Sequence, residues 1–285
     1  MSDPRCNACR SADIRPVRRI RSPYVPHLYT LRECLSCGSR SFQLDENPAD
    51  LYDVYTTVAE MNADANAPFA PTAYWTNEVR LIGRLLGRAP GAVLDIGCRT
   101  GELLLHWPVA TRRVGVEFLP SSAAVARARG LEIHNTPVEA LDPGEVGGPF
   151  DVVSCYAVLE HVTDVPAGLD RLAAMVAPGG VLAVLVPCFE TMKAHLLDAL
   201  RFRWHMYSPP EHLNLFSRRF LDGWFSARSF RLVARRYTSG GTFNPFMAVP
   251  LMGGAFARAM WWLDTRGPLR HIPLFDHMYS YYMKV

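Results

Sequence analysis

Short apolar runs alternate with helical stretches through the middle of the chain. Five of these runs lie at residues 92–96, 113–117, 131–134, 150–155 and 181–186. Each run has the length of a buried strand, and each intervening segment is long enough for a crossover connection. This alternation predicts a doubly wound α/β fold whose sheet is mostly parallel. Two later runs, residues 230–237 and 278–285, are candidates to complete a seven-stranded sheet.

Helical periodicity appears before and between these strands. Residues 77–87 carry Val79, Ile82, Leu85 and Leu86 on one face, which predicts an amphipathic helix. Ser121 or Ser122 is predicted to cap a second helix, because a serine side chain can accept a hydrogen bond from the first turn. That helix is expected to end at Gly130.

Four cysteines near the start of the chain form two C-x-x-C pairs. Cys6 and Cys9 are separated by 24 residues from Cys34 and Cys37. Two such pairs fit one tetrahedral zinc, and four thiolates leave no open position for substrate, so a bound zinc would be structural. A segment of some 40 residues buries too little apolar surface to fold alone, so it also needs a bound metal of this kind for stability. The alternative is a chance set of buried or redox-active thiols.

Composition and charge narrow the class of protein. The chain is 49% hydrophobic and 20% charged, which is ordinary for a globular protein. A net charge of +3, dispersed along the chain, argues against nucleic acid as a partner. The sequence shows neither a signal peptide nor an apolar run long enough to span a membrane, so we expect a cytoplasmic protein.

The first strand runs into a glycine-bearing turn, where a doubly wound sheet binds nucleotides. Residues 93–101 read V-L-D-I-G-C-R-T-G. The dinucleotide fingerprint G-x-G-x-x-G is absent, which argues against NAD. At Asp95, Gly97 and Gly101 the chain instead resembles the class I S-adenosylmethionine-dependent methyltransferases, whose first motif is D-x-G-x-G-x-G. Arg99 stands where that motif has its middle glycine.

The resemblance covers about residues 75–190. Residues 150–153 and 158–162 resemble the family's fourth motif, and residues 177–182 resemble the turn and strand that follow it. Glu117 ends the second strand, where a carboxylate can accept the ribose hydroxyls. The resemblance implies S-adenosylmethionine as cofactor. The predicted cofactor-binding residues are Asp95, Gly97, Cys98, Gly101, Glu117, Phe118, Thr136, Val138, Tyr156 and Ala157.

The presence of Arg99 in the turn can be interpreted in three ways. If the turn requires positive φ there, an arginine costs roughly 1 kcal/mol relative to glycine. Alternatively, its cation faces the methionine carboxylate or an anionic substrate. A third reading is loss of cofactor binding, which would leave a non-catalytic binding module.

Residues 207–217 follow the fifth strand and are expected over the same crevice. Their sequence resembles the E-H-x-x-x-F-S stretch of zinc-module methyltransferases that act on deoxysugars, and of related sugar, lipid and natural-product enzymes. In sugar C-methyltransferases such a histidine is the base, which implies that role for His212. His161 and Tyr207 are further catalytic candidates. For both histidines, a structural hydrogen bond is the competing role.

Three segments are therefore predicted: a zinc-binding ribbon at 1–44, a helical linker or lid at 45–90, and a methyltransferase domain at 91–285. The predicted activity is methyl transfer to a small-molecule acceptor, either a sugar, a nucleotide sugar or a natural-product scaffold. The alternative enzyme class is a ribosomal RNA base methyltransferase, since some of those also place a zinc module before this fold.

An aromatic set of residues and an apolar segment can each be interpreted in more than one way. Tyr52, Tyr55, Tyr74 and Trp75 precede the core and either close over the cofactor or pack against the zinc module. Residues 243–263 are strongly apolar. They indicate core packing or a homodimer face, with a membrane contact or a hydrophobic substrate wall as the alternative.

Overall fold

The computed structural model describes residues 5–43, 72–238 and 267–285. Its strands are β1 Ile14–Arg21, β2 Leu28–Cys34, β3 Arg40–Phe42, β4 Ala92–Ile96, β5 Arg112–Val116, β6 Glu132–His134, β7 Phe150–Tyr156, β8 Val176–Pro187, β9 Asn214–Leu215, β10 Phe230–Thr238 and β11 His277–Lys284. Its α-helices are α1 Thr72–Leu86, α2 Glu102–Leu105, α3 Pro120–Ala128, α4 Val165–Met175, α5 Met192–Ala199 and α6 Arg218–Ser226. Tyr52, Tyr55 and residues 243–263 lie outside the described residues.

The larger sheet has seven strands in the order β10-β11-β8-β7-β4-β5-β6. Strands β4 to β8 pair in parallel, and β11 is antiparallel to both of its neighbours. Along the chain, β5 and β6 are added on one side of β4, and β7 and β8 are then added on its other side. A crevice therefore lies at the carboxyl end of β4, where such sheets bind ligands. The predicted mostly parallel seven-stranded sheet is confirmed.

The sheet carries a separate apolar core on each face. Successive strand residues point to opposite faces, so Leu94 and Val153 join one core and Val93 and Val152 join the other. All four are 1% exposed or less. Full burial of such a side chain stabilises the fold by about 1.5–3 kcal/mol.

The predicted cap of the second helix is wrong. Helix α3 has Leu119 at its N-cap, without a side-chain cap hydrogen bond, and Pro120 follows it. Proline suits the first helical position because its fixed φ is already helical and its missing N–H would have had no partner there. The helix therefore begins before Ser121.

A buried ion pair ties α1 to the far edge of the large sheet. Glu78 of α1 pairs with Arg236 of β10. The Glu78 carboxylate also accepts hydrogen bonds from the hydroxyls of Tyr156 and Tyr281, at 2.6 and 2.7 Å. Because the guanidinium and both hydroxyls surround it, the buried carboxylate is paired and hydrogen-bonded, as burial of a charge requires.

The N-terminal residues form a smaller antiparallel sheet in the order β1-β2-β3-β9. Its last strand, β9, comes from the segment that contains His212. Asn214 pairs with Ser41, and Leu215 pairs with Arg40. The sheet of the predicted ribbon is thus completed by a strand from the methyltransferase segment.

No helix in the described part of the chain is long and apolar enough to cross a membrane.

Candidate functional site

A cavity of about 620 Å³ opens at the carboxyl ends of β4, β5 and β7. Two groups of residues line it. The first follows these strands and includes Asp95 and Glu117. The second includes His161 and His212, which lie beyond β7 and just before β9. Predicted cofactor and acceptor residues therefore meet in one cavity.

The turn after β4 requires glycine at two positions. Gly97 and Gly101 have φ of 72° and 82°. A Cβ on Gly97 would lie 2.3 Å from Cγ2 of Val158, and one on Gly101 would lie 2.1 Å from Cδ1 of Leu131. Gly97 lines the cavity, whereas Gly101 is outside its lining and supports the turn from behind.

Arg99 has the left-handed backbone that the family motif satisfies with glycine. Its φ is 48°. The backbone N–H of Arg99 donates a hydrogen bond of 2.8 Å to Oε2 of Glu117. The turn therefore keeps its shape despite the side chain, at a cost of roughly 1 kcal/mol in backbone strain.

Replacement of Arg99 by glycine is expected to relieve this strain and to raise Tm by about 2 °C. Thermal unfolding measures the change, and calorimetry with S-adenosylmethionine should show that cofactor affinity is kept. Arg113→Gly is the matched control. Arg113 lies within strand β5, where glycine is destabilising, so this substitution should lower Tm. A fall in Tm for Arg99→Gly would instead mean that contacts of the arginine side chain stabilise the fold by more than the backbone strain destabilises it.

Asp95 and Glu117 place two buried carboxyl groups beside the turn. Ser154 Oγ donates a hydrogen bond of 2.6 Å to Asp95 Oδ1, while burial raises the pKa of Asp95 to about 7. Burial also raises the pKa of Glu117 above its usual value. The Glu117 carboxylate accepts from the N–H groups of Arg99 and Leu119, one on each oxygen. Each oxygen has a second lone pair that can accept from a ligand hydroxyl.

The other predicted cofactor residues also surround this end of the cavity. Phe118, Thr136, Val138 and Ala157 line it. Tyr156 lines it with its ring, while its hydroxyl donates to Glu78. The predicted cofactor residues are thus gathered at one end of the cavity.

Cys98 contributes to the same lining from a buried position. Its Sγ packs over Gly115, where an added Cβ would lie 2.5 Å away. Burial raises the pKa of the Cys98 thiol above its usual value. The side chain is therefore an uncharged packing group.

Two aromatic residues of α1 form part of the cavity wall. Trp75 lies parallel to Tyr156, with the ring centroids 6.4 Å apart and the ring planes at 7°. Tyr74 also lines the cavity, and its hydroxyl contacts that of Tyr279. Tyr74 and Trp75 were predicted either to close over the cofactor or to pack against the zinc module. Their position in the cavity wall favours the first of these roles.

His161 and His212 are neutral imidazoles on the other side of the cavity. Nδ1–H of His161 donates to the carbonyl of Glu211 at 2.6 Å, and Nδ1–H of His212 donates to that of Met206 at 3.0 Å. For His212 this bond assigns the unprotonated nitrogen to Nε2. Burial lowers the pKa of His161 to about 3 and lowers that of His212. The ring centroids are 5.1 Å apart, so one substrate can contact both rings.

Tyr207 lies away from this pair. Its hydroxyl accepts from Arg40 at 2.8 Å and donates to Asp198 at 2.9 Å. The side chain is completely buried and is not part of the cavity lining. This placement corrects the prediction of Tyr207 as a catalytic candidate, because its hydroxyl is used to join the N-terminal sheet to α5.

Several further lining residues were not predicted from the sequence, among them Tyr24, Arg203, His205 and Met206. Tyr24, from the β1–β2 connection, donates a short hydrogen bond to the carboxylate of Glu211. The N-terminal sheet therefore contributes directly to the acceptor side. The position of Arg203 to Met206 just before residues 207–217 was the available signal, whereas nothing in the sequence near Tyr24 indicated this contact.

The four N-terminal cysteines form one compact cluster. Their sulfur atoms all lie within 4.8 Å of one another. Cys6 and Cys37 are 3.7 Å apart, and Cys9 and Cys34 are 3.5 Å apart, between their Sγ atoms. A tetrahedral zinc with bonds of 2.3 Å places its sulfurs about 3.8 Å apart. The free thiols therefore fit the geometry of a four-cysteine zinc site.

Fold and cavity together are those of a doubly wound α/β protein whose crevice lies at the carboxyl end of β4, where such folds bind ligands. Residues 73–235, more than half of the chain, match a family described as a methyltransferase domain. The chain belongs to this family.

Curated relatives match the chain over part of their length. It is 40% identical over 110 residues to trans-aconitate 2-methyltransferase from Deinococcus radiodurans, covering 37% of this chain and 41% of that protein. It is 35% identical over 138 residues to the ubiquinone biosynthesis O-methyltransferase of Bordetella avium, covering 45% and 56%. The chain thus spans about half or less of these relatives.

Solved structures share the fold at low sequence identity. Magnesium protoporphyrin IX methyltransferase from Synechocystis PCC 6803, with bound SAH, has a TM-score of 0.53 and 12% identity, covering 84% of this chain and all of that one. An S-adenosylmethionine-dependent methyltransferase from Clostridium acetobutylicum has a TM-score of 0.51 and 9% identity, covering 82% and 98%. At these identities the likeness concerns the fold alone.

Proposed function

We propose that the enzyme methylates a small-molecule acceptor held beside His161 and His212. The observation that carries this proposal is that one cavity contains both the two buried carboxyl groups and the two neutral imidazoles. The acceptor classes that we favour are a sugar, a nucleotide sugar or a natural-product scaffold.

The residues at the carboxyl ends of β4 and β5 suit the cofactor. Glu117 would accept hydrogen bonds from the ribose hydroxyls, and the turn at Gly97 would lie against the methionine part. Thr136 and Val138 would frame the adenine. When bound, S-adenosylmethionine supplies a methyl group that its sulfonium already activates, so the protein has to orient the acceptor and exclude water.

His212 is the proposed proton acceptor. Its Nδ1–H is held by the carbonyl of Met206, which leaves a basic Nε2 lone pair on the neutral ring. Burial lowers the pKa of His212, and this keeps the ring unprotonated at neutral pH. His161 is oriented in the same way and lies beside it, so it is the second candidate for contact with the acceptor.

The four-cysteine cluster is proposed to hold one structural zinc. The cluster is closed by four thiolates, so it would support the fold without contacting the acceptor. Arg219 of α6 donates a hydrogen bond of 2.8 Å to the carbonyl of Ser36 beside the cluster. This contact connects the cluster to the methyltransferase segment. The segment boundaries given above, a cytoplasmic location and a homodimer remain predictions from the sequence.

Glu117→Gln is expected to weaken S-adenosylmethionine binding at least 10-fold. Hydrogen bonds to a charged group contribute about 1.5–3 kcal/mol, and a 10-fold change corresponds to 1.4 kcal/mol. Calorimetry with S-adenosylmethionine and S-adenosylhomocysteine measures the effect. Glu132→Gln is the control, since Glu132 pairs with Arg112 outside the cavity lining.

Unchanged affinity in Glu117→Gln would remove the ribose contact from the proposal. Failure of the unaltered protein to bind either compound would overturn the proposed function. Methyl transfer to bulk RNA at moderate salt, with no transfer to sugars or phenols, would favour the RNA alternative over a small-molecule acceptor.

A further inference from the structure

We propose that a second cavity, beside the first, binds the diphosphate group of a small-molecule ligand. The second cavity has a volume of about 510 Å³ and lies between α1, β10 and the short 3₁₀ helix Pro268–His271. Ligand sites commonly have volumes of about 300–1,000 Å³. Among the described residues, Tyr74 is the only one that lines both cavities. The site is therefore separate from the one proposed for cofactor and acceptor.

Positive charge is concentrated in the lining of the second cavity. In the described part of the chain this lining contains one carboxylate, that of Glu78, and five guanidinium groups. These belong to Arg80, Arg84, Arg235, Arg236 and Arg270. The whole chain carries a net charge of only +3, so the excess is local. A concave site lined by one sign of charge raises the local concentration of ligands of opposite charge. The second cavity therefore favours an anion.

Two of the five arginines are already neutralised by carboxylates. Arg236 is buried and pairs with Glu78. Arg235 pairs with Asp222, with its Nη2 2.5 Å from Oδ1, and its Nε donates to Ser280 at 3.1 Å. Because these donors are used within the protein, the two side chains form a fixed wall of the cavity. Recognition of an anion depends on the other three arginines.

Arg80, Arg84 and Arg270 have only uncharged hydrogen-bond partners within residues 5–43, 72–238 and 267–285. Arg80 donates to Oδ1 of Asn77 at 3.3 Å, and Arg84 donates to the carbonyl of Arg80 at 3.3 Å. Arg270 donates to Nε2 of His271 at 3.0 Å. A guanidinium group has five N–H donors. Most donors of these three groups are therefore left for a ligand.

The placement of these three cations gives a further reason to expect an anion between them. Arg80 and Arg84 lie one helical turn apart on α1, and like charges at this spacing destabilise a helix. Arg270 brings a third positive charge to the same cavity from a segment far away in sequence. Their mutual repulsion raises the energy of the empty site, and a bound anion would reverse this effect.

A diphosphate suits this arrangement better than a single carboxylate. The planar fork of an arginine pairs with two oxygens of a phosphate at once. Three such forks, carried by α1 and by residues 268–271, can donate to more oxygens than one carboxylate has. A diphosphate supplies two phosphate groups and several negative charges. Inorganic pyrophosphate and nucleoside diphosphates both carry this group, and their affinities distinguish the two sources.

Calorimetric titration of the full, zinc-loaded chain with inorganic pyrophosphate, and separately with uridine diphosphate, tests the site. We expect one equivalent of pyrophosphate to bind per chain. Arg80→Gln, Arg84→Gln and Arg270→Gln should each lower the affinity about 10-fold, because each removes charge-assisted hydrogen bonds. Arg231→Gln is the matched control, since Arg231 is exposed on β10 outside the described lining. It should bind pyrophosphate as the unaltered protein does.

Uridine diphosphate that binds at least as tightly as pyrophosphate would identify a nucleoside diphosphate as the ligand, and weaker binding would identify free diphosphate. Repetition with saturating S-adenosylhomocysteine separates the two cavities, and we expect pyrophosphate to bind as before.

Three results would overturn the proposed site: no binding of either compound by the unaltered protein, equal affinity in all four variants, or displacement of pyrophosphate by S-adenosylhomocysteine. Circular dichroism checks that each variant is folded. Arg80 and Arg84 are exposed, so their replacement leaves the core intact. S-adenosylmethionine is titrated separately, and its failure to bind would remove the proposed function without removing this site.

Discussion

His212→Ala is expected to lower turnover on a small-molecule acceptor by roughly 100-fold or more, the usual contribution of a positioned proton acceptor. The ring is held by the carbonyl of Met206 and lies in the cavity that also contains Asp95 and Glu117, the proposed cofactor-binding carboxylates. Alanine removes the basic nitrogen without altering Asp95 or Glu117. Affinity for S-adenosylmethionine should therefore change little.

Release of S-adenosylhomocysteine, measured with a panel of sugar and phenolic acceptors, gives the turnover. His195→Ala is the matched control because His195 is exposed on α5. Equal turnover by His212→Ala and the unaltered enzyme would dismiss a role for His212 in the reaction.

The pH profile gives a second readout of the same histidine. Burial lowers the pKa of His212 below its ordinary value of 6.5. A lowered pKa means that the neutral, proton-accepting form persists as the pH falls below 6.5. Protonation of His212 should therefore leave turnover level at pH values where an exposed histidine would already be protonated. A change near pH 7 that the unaltered enzyme and His212→Ala share is assigned to other groups such as Asp95, whose pKa burial raises to about 7.

Removal of zinc from the cysteine cluster is expected to unfold the N-terminal sheet. Structural zinc contributes about 10–16 kcal/mol of apparent binding free energy in small modules, and this energy is available only when the module is folded. Cys34→Ser should abolish stoichiometric zinc and lower Tm. Cys188→Ser, whose thiol lies outside the cluster, should keep one zinc per chain. Metal analysis of protein purified without chelator that finds no zinc would contradict this prediction.

The loss of zinc should also reduce activity, because the N-terminal sheet includes β9 and supplies Tyr24. Tyr24 donates to the carboxylate of Glu211, and the carbonyl of Glu211 holds His161. Unfolding of this sheet would therefore release the groups that orient the acceptor side. Cofactor binding, which we propose at the ends of β4 and β5, should be less affected.

The sequence predicted the sheet well, and it predicted residues that meet in one cavity, for a physical reason. Strands and helices of a doubly wound fold are local and periodic, so apolar runs mark them directly. Asp95 lies in the last pleat of β4, Gly97 and Glu117 directly follow β4 and β5, and parallel strands bring their carboxyl ends together. Nine of the ten predicted cofactor residues line the cavity, and Gly101 supports the turn behind it.

The acceptor side was predicted less completely, because its contacts join distant parts of the chain. Tyr207 stands next to the motif in sequence, yet its hydroxyl bonds to Arg40 and Asp198. Tyr24 belongs to no motif in the sequence, yet its hydroxyl donates to the carboxylate of Glu211.

By itself, the sequence determined the doubly wound core, the glycine turn, the family and the four-cysteine spacing, because each depends on residue types at short, regular intervals. Only the tertiary structure decided that β9 completes the N-terminal sheet, that Tyr24 reaches the cavity, and that Arg270 lines a second cavity with Arg80 and Arg84. These contacts join residues far apart in the chain. No spacing rule encodes such contacts, since they follow from how two sheets pack together.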